Sequence, residues 1–422
     1  MSSTEFVLGS GEAEQAAHTL RSTRTVRERC GQLLERARDG RSSWFEVDDG
    51  AIAAAARAVA DLTHRRFPKG HIPLHSRWRH LEAGGVDRRG ELQRLLGDVP
   101  KATLGQCLVD LTFVSVLLDA GAGPDWKYTD SATGQTFTRS EGLAVASYHA
   151  FVGGMFSSDK QHPLQVDAEG LRALATDQLA QVLQVHGNNP LVGLEGRAIL
   201  LRRFGEAMGE QPEVFGQNIA RPAGIYDQIL APSPELPYTA DVAAHDILSQ
   251  ILVSCSGIWP ADNAIGFVPL GDCWRHEAVR GEGQSDGWVP FHKLSQWLTY
   301  SLLEPFAWSG VNVRGVEALT ALPEYRNGGL LIDSGVLRLR DEAVTRAVWQ
   351  AGDELIVEWR ALTVALLEEV AVEMRKLLHL DAERLPLARV LEGGTWAAGR
   401  ELAQRQRNGL PPLQVASDGT VF

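Results

Sequence analysis

Residues 290–305 read PFHKLSQWLTYSLLEP. Phe291, Leu294, Trp297, Leu298, Leu302 and Leu303 recur at helical spacing, so the stretch reads as a helix with a broad apolar side. Lys293, Gln296, Tyr300 and Glu304 follow at steps of three and four and fall on or near one face. Such a stripe is either an exposed face or a buried one that needs partners or a cavity. Pro305 disfavours helical geometry at Glu304, which places that carboxylate at or near the helix end.

Working outward, helical patterns recur at 51–62, 104–118, 142–156, 171–185, 194–208, 242–258 and 343–378. The first follows the acidic run 46–49 and ends before the breaker cluster Phe67-Pro68-Lys69-Gly70. Residues 211–238 hold five of the chain's 19 prolines and read as an extended wrap. The clearest β signal is near 124–140, where aromatic and β-branched residues flank Asp130-Ser131-Ala132-Thr133-Gly134; a short hairpin is expected there. Alternating strand and helix patterns are missing, which argues against a Rossmann-like parallel sheet. The expected fold is mainly α, a compact multi-helix unit with one small antiparallel β element. Residues 1–40 form a polar arm or helix, and 41–422 form one large helical catalytic unit.

Of 422 residues, 41 are Lys or Arg and 53 are Asp or Glu, so the net charge is 41 − 53 = −12. That balance argues against a nucleic-acid partner, which needs a broad basic face, but a small anionic ligand needs only a few local cations. Cys30, Cys107, Cys255 and Cys273 form no C-x-x-C pair and read as reduced, buried small residues. No signal peptide is evident and no apolar run is long enough for a membrane helix, so a cytoplasmic location is expected.

P-loop, dinucleotide-binding, H-E-x-x-H and G-x-S-x-G motifs are all missing. Residues 71–80, HIPLHSRWRH, place His71, His75 and His80 at steps of four and five, but Pro73 interrupts any single helical face. Anion binding by His75, Arg77 and Arg79 suits the segment better, and a salt-bridged basic turn is the plainer reading. Glu324, Tyr325 and Arg326 follow Pro323 and precede Asn327-Gly328-Gly329. Glu324 and Glu304 are candidates for the two carboxylates with separated pKa values that glycosidic-bond cleavage uses. Asp272, Trp274, Arg275 and His276 crowd a fourth segment, where a glycine-flanked carboxylate is also a common turn residue.

The segments HSRWRH (75–80), PADNAIG (260–266), LGDCWRH (270–276), SLLEPF (301–306), LPEYRNGGLLIDSGVL (322–337), LEGGTWAAGRE (391–401) and SDGTVF (417–422) resemble the uracil-catabolism protein family of fungi and bacteria. That family acts in a non-reductive route through ribosylurea, and the resemblance runs from Ser43 onward. More distantly, the chain is similar to the queuosine-salvage family, which hydrolyses the N-glycosidic bond of queuosine 5′-phosphate and has a helical, DNA-glycosylase-like architecture. Its aromatic hairpin is like residues 126–138, its F-Y-K-x-A-Q helix like 291–301, its Asp-Tyr-Arg motif like 324–326, and its C-terminal tryptophan segment like 396–401. The family's carboxylate thus falls on Glu324 and its lysine on Lys293. Its second aspartate falls on Ser301, which cannot do carboxylate work and speaks against queuosine as the substrate.

The resemblance implies hydrolysis of ribosylurea, or its 5′-phosphate, to urea and ribose 5-phosphate. The implied catalytic residues are Glu324, Glu304 and Tyr325. Implied substrate contacts are His75, Arg77, Asp272, Lys293, Gln296, Ser301, Arg326 and Trp396. No metal or organic cofactor is required, and the implied ligand is a small phosphorylated riboside, with other uracil-catabolism enzymes as further partners. Two other classes stay open: an amidohydrolase acting on the ureido group, with His75 or His276 on a metal or as base, and a non-catalytic pathway component.

Overall fold

The helix Glu354–Leu378 is buried on every side over 355–364 and buries Leu355, Ile356, Val357, Trp359, Leu362, Leu366, Leu367, Val370 and Met374. A helix of that pattern belongs inside a core rather than on a surface. The computed structural model describes residues 3–230, 241–259 and 263–416. Packing divides the chain into two units, each built from separated segments. The first comprises Met1–His75, Ala261–Gln296 and Gly315–Ala416; the second is built on Ser76–Pro260 and Trp297–Arg314.

In the first unit, Glu354–Leu378 packs on the helices Thr23–Arg38, Ile52–Arg66 and Tyr325–Asp333. Val26, Cys30 and Leu33 meet Val357, Ala361 and Val364 in one cluster, closed by Val279, Val289 and Phe291. Each Val, Leu and Phe side chain in it contributes about 1.5–3 kcal/mol on burial. The chain start is helical, at Ser3–Leu20, followed by Thr23–Arg38 with Ser22 as N-cap. In the second unit the central element is Lys101–Leu117, where Phe113 stacks on Phe204 of the helix Leu194–Glu210 at 5.4 Å. Its one buried carboxylate, Asp110, is paired with Arg221 at 2.7 Å and with the N–H groups of Val166 and Ala223.

The mainly helical class stands, with more β structure than expected. The hairpin is present as Lys127–Thr129 against Thr136–Thr138, with Tyr128 opposite Phe137. Five further two-stranded pairs occur among the described residues. Cys273–Arg275 with Trp288–Pro290, Phe45–Val47 with Leu337–Leu339, and Ala264–Ile265 with Val268–Pro269 are antiparallel; Asp241–Ala243 with Asn312–Arg314 and Val348–Trp349 with Gln414–Val415 are parallel. Strands of two or three residues are too short to show a period of two, and three of these pairs join segments more than 60 residues apart.

Other expectations change in detail. The helix Lys293–Trp308 runs through Pro305 instead of ending there, so Glu304 lies inside it. A proline removes one backbone bond, and the helix is carried past that loss by its buried side chains. Residues 211–230 carry two short helices, Pro212–Phe215 and Ala223–Leu230, where an extended wrap was expected; 231–238 lie outside the described residues, as do 260–262 and 417–422. The four cysteines are buried thiols, and burial pushes Cys255 up to about 12. Among the described residues, no helix is long and apolar enough to cross a membrane.

Candidate functional site

Glu324 caps the helix Tyr325–Asp333. It lies after Pro323 in extended geometry, and its carboxylate accepts the N–H of Arg326 at 2.7 Å and of Asn327 at 2.6 Å. Part of the residue stays open to solvent. Burial raises its pKa above the ordinary carboxylate range; the two amides and the charges of Lys293 and Arg326 oppose that rise without cancelling it. The loop before it is fastened from two sides. Gln296 accepts the Thr320 N–H at 2.9 Å and donates to the Thr320 hydroxyl, while Arg360 donates to the Pro323 carbonyl at 3.5 Å.

Lys293 begins its helix under equally tight control. Its backbone N–H donates to Asp272 Oδ2 at 2.9 Å. Arg360 grips both oxygens of Asp272 at 2.7 Å, and the Trp274 indole donates to Oδ1 at 2.7 Å. Burial alone would raise the Asp272 carboxyl; Arg360, the Lys293 N–H and the Trp274 indole more than offset it and hold the group at about 2. Asp272, expected as a substrate contact, therefore has each oxygen taken by two protein donors. It acts as a remote cap on the lysine-bearing helix. Arg360 thus joins the two backbone segments that present Lys293 and Glu324.

His75 and Trp396 flank a π-helical turn at Leu391–Thr395. A π turn frees carbonyls that an α-helix would use, and Arg66 takes those of Glu392 and Gly393. His75 Nδ1 lies 2.9 Å from Glu392 Oε2. Trp396 opens the next helix, with the Arg400 guanidinium 5.6 Å from its ring. Arg326 is buried, lies over the Tyr325 ring at 4.8 Å and donates to the Gly409 carbonyl at 3.1 Å.

The other three expected residues belong to the second unit. Ser301 accepts the Arg77 N–H at 2.9 Å and donates to the Trp297 carbonyl at 2.8 Å. Arg77 is fully buried and pairs with Asp119 at 2.8 Å. Glu304 pairs with Arg79 at 2.7 Å; burial raises its pKa, and Arg79 and the Ser76 hydroxyl oppose the rise.

Residues 19–422 match the family described as "Protein of unknown function (DUF1688)". The chain belongs to the DUF1688 family. It is 38% identical over 411 residues to "Protein urg3" of Schizosaccharomyces pombe, covering 96% of this chain and 98% of that protein. It is 36% identical over 433 residues to "Uracil catabolism protein 4" of Lachancea kluyveri, covering 95% and 98%.

One further cluster in this DUF1688 chain bears on metal chemistry. His276, Glu354 and Glu358 bring possible ligand atoms within 4.8 Å of one another. His276 Nδ1 accepts the Ala278 N–H at 3.1 Å, so its proton sits on Nε2, 3.1 Å from Glu358 Oε2. A histidine that ligates through Nε2 donates from Nδ1, the reverse of this arrangement. Arg36, 3.4 Å away, is the countercharge of Glu358, and the Ser42 hydroxyl donates to its other oxygen. The cluster is built as a buried hydrogen-bond network around the Arg36–Glu358 ion pair and does not fit a metal bound at Nε2.

Sequence reasoning missed Arg360, Arg66 and Asp119. Arg360 and Asp119 sit within or at the end of apolar helical runs with no local motif. Only the spacing of a buried arginine inside an apolar run hints that a distant carboxylate must meet it.

Proposed function

We propose that the chain is an N-glycoside hydrolase of uracil catabolism that cleaves ribosylurea, as its 5′-phosphate, to urea and ribose 5-phosphate. The observation that carries this reading is Glu324: a carboxylate with a raised pKa, fixed by two amides and held beside a lysine. The name of one relative, "Uracil catabolism protein 4", supports the pathway. The C1′–N bond breaks, water oxygen joins C1′, one water proton goes to the Glu324 carboxylate, and the departing urea nitrogen takes a proton. Positive charge grows at C1′ as that bond breaks, and a nearby carboxylate is stronger there than in the ground state. Tyr325, its ring covered by Arg326, is assigned as proton donor to the leaving nitrogen; it regains a proton from solvent, to which Glu324 gives up the one it took from water. Lys293 is assigned to the phosphate as a point charge, and Trp396 to the apolar side of the sugar. Gln296 and Asp272 position the two backbone segments. Arg77, Ser301 and Glu304, in the second unit, take no step in this scheme.

Glu324→Gln tests the reading. It keeps the shape of the cap and removes the charge, so turnover is expected to fall roughly a hundred- to ten-thousand-fold with the fold retained. Near-wild-type turnover in a folded variant contradicts it.

A further inference from the structure

Three successive backbone amides of the first unit converge on Asp272. The N–H groups of Phe291 and His292 donate to its carbonyl at 2.9 and 3.3 Å, and that of Lys293 donates to its Oδ2 at 2.9 Å. Neighbouring amides converge in this way when a left-handed residue turns the chain between them, and His292 is that residue, with φ at +50°. A glycine would adopt this geometry without strain, whereas few other residues do. The chain carries a histidine, and the ring has a bond of its own. It is 5% exposed, and its Nε2 lies 2.9 Å from the Leu20 carbonyl and 3.7 Å from Cys273 Sγ. A carbonyl only accepts, so Nε2 carries the ring proton and donates it. Leu20 ends the helix Ser3–Leu20 and is itself fixed, packing with Ala13 and Ala17 against Leu270, Cys273 and Trp288. The guanidinium of the next residue, Arg21, donates to the Pro269 carbonyl at 3.0 Å.

We propose that His292 is a positioning residue for Lys293, tying the start of the lysine-bearing helix to the end of the helix Ser3–Leu20. The proposal rests on the assignment of Lys293 to a substrate phosphate. His292 acts at three points. Its backbone bend turns the Lys293 N–H onto Asp272, its carbonyl accepts the Gln296 N–H at 2.8 Å as the helix begins, and its ring anchors the bend to Leu20. The ring is not an acid or base in the reaction: it is closed to solvent, and burial lowers its pKa. A lysine meets a phosphate as a point charge on a flexible stem, so the place where its helix starts sets where that charge can lie. The bend and the anchor are separable, because glycine at 292 keeps the first and removes the second.

The test uses the full chain and two readouts: hydrogen exchange of the peptide 291–296, followed by mass spectrometry, and calorimetric titration with ribose 5-phosphate and with ribose. In His292→Gly, exchange is expected to rise at least about tenfold and ribose 5-phosphate to bind about tenfold more weakly, with ribose unaffected. His292→Gln, whose terminal amide can donate where Nε2 does, is expected to restore both. In a Lys293→Ala background, His292→Gly is expected to cause no further loss of ribose 5-phosphate affinity, since the two residues act through one contact. Should His292→Gly not fold, His292→Asn takes its place: it too accepts left-handed geometry and is too short to reach Leu20. Unchanged exchange in the folded variant would overturn the proposal. So would faster exchange with ribose 5-phosphate affinity intact, where Lys293→Ala weakens that ligand. If Lys293→Ala binds ribose 5-phosphate as the wild type does, it is the phosphate assignment that fails, and exchange with its rescue by glutamine decides the role of His292.

Discussion

At the scale of single residues, the account turns on how Lys293 and Glu324 are held. Asp272 and Arg360 are a buried pair joined by two parallel bonds. Asp272→Asn leaves the guanidinium without its countercharge and is expected to cost about 3–5 kcal/mol in urea unfolding. The pH dependence has a definite sign. The folded value of about 2 lies below the ordinary 3.8, so the contribution of Asp272 is complete above the ordinary value. It disappears as the pH falls from about 4 to about 2, and the variant should lack that limb of the stability curve. A second prediction concerns activity. Lys293 lowers the pKa of Glu324 from its raised position, so Lys293→Ala removes that restraint. The acid limb of the pH–rate profile should move to higher pH, and phosphorylated substrate should lose more affinity than its nucleoside. An unmoved limb would separate the two residues. Lys293 and Glu324 were legible through their motifs. Asp119 and Arg360 were not, because a carboxylate or guanidinium in an apolar run shows its charge but not a partner 42 or 88 residues away.

At the scale of elements, close backbone approach sets the geometry. The helices Tyr325–Asp333 and Trp396–Arg407 cross at Gly399, where a Cβ would run into the Arg326 carbonyl oxygen. Backbone cannot yield as a flexible side chain can, so Gly399→Ala is expected to cost about 3 kcal/mol and to disturb the turn carrying Glu324. Gly31 offers the opposite case: it sits inside Thr23–Arg38 with open space around its Cβ position. Gly31→Ala is expected to gain about 0.5–1 kcal/mol from helix propensity alone. Thermal unfolding of the two variants, one lower and one higher than wild type, checks both. Most long helices were legible from apolar period. The passage through Pro305 and the π turn at Leu391–Thr395 were not, since each depends on contacts that compensate for a lost backbone bond.

At the scale of the whole molecule, the division into two units was illegible because each is assembled from segments far apart in sequence. Composition did carry one whole-chain statement. With a net charge of −12, the protein should bind a single-stranded oligonucleotide only weakly, and fluorescence anisotropy at physiological salt should show no saturation at micromolar protein. The central claim is chemical, and one assay addresses it directly: incubation of the full chain with ribosylurea 5′-phosphate, followed by separate measurement of urea and ammonia. The account predicts urea released with ribose 5-phosphate in equal amounts, and its loss in Glu324→Gln. Release of ammonia without urea would contradict N-glycoside hydrolysis and point to attack on the ureido group instead.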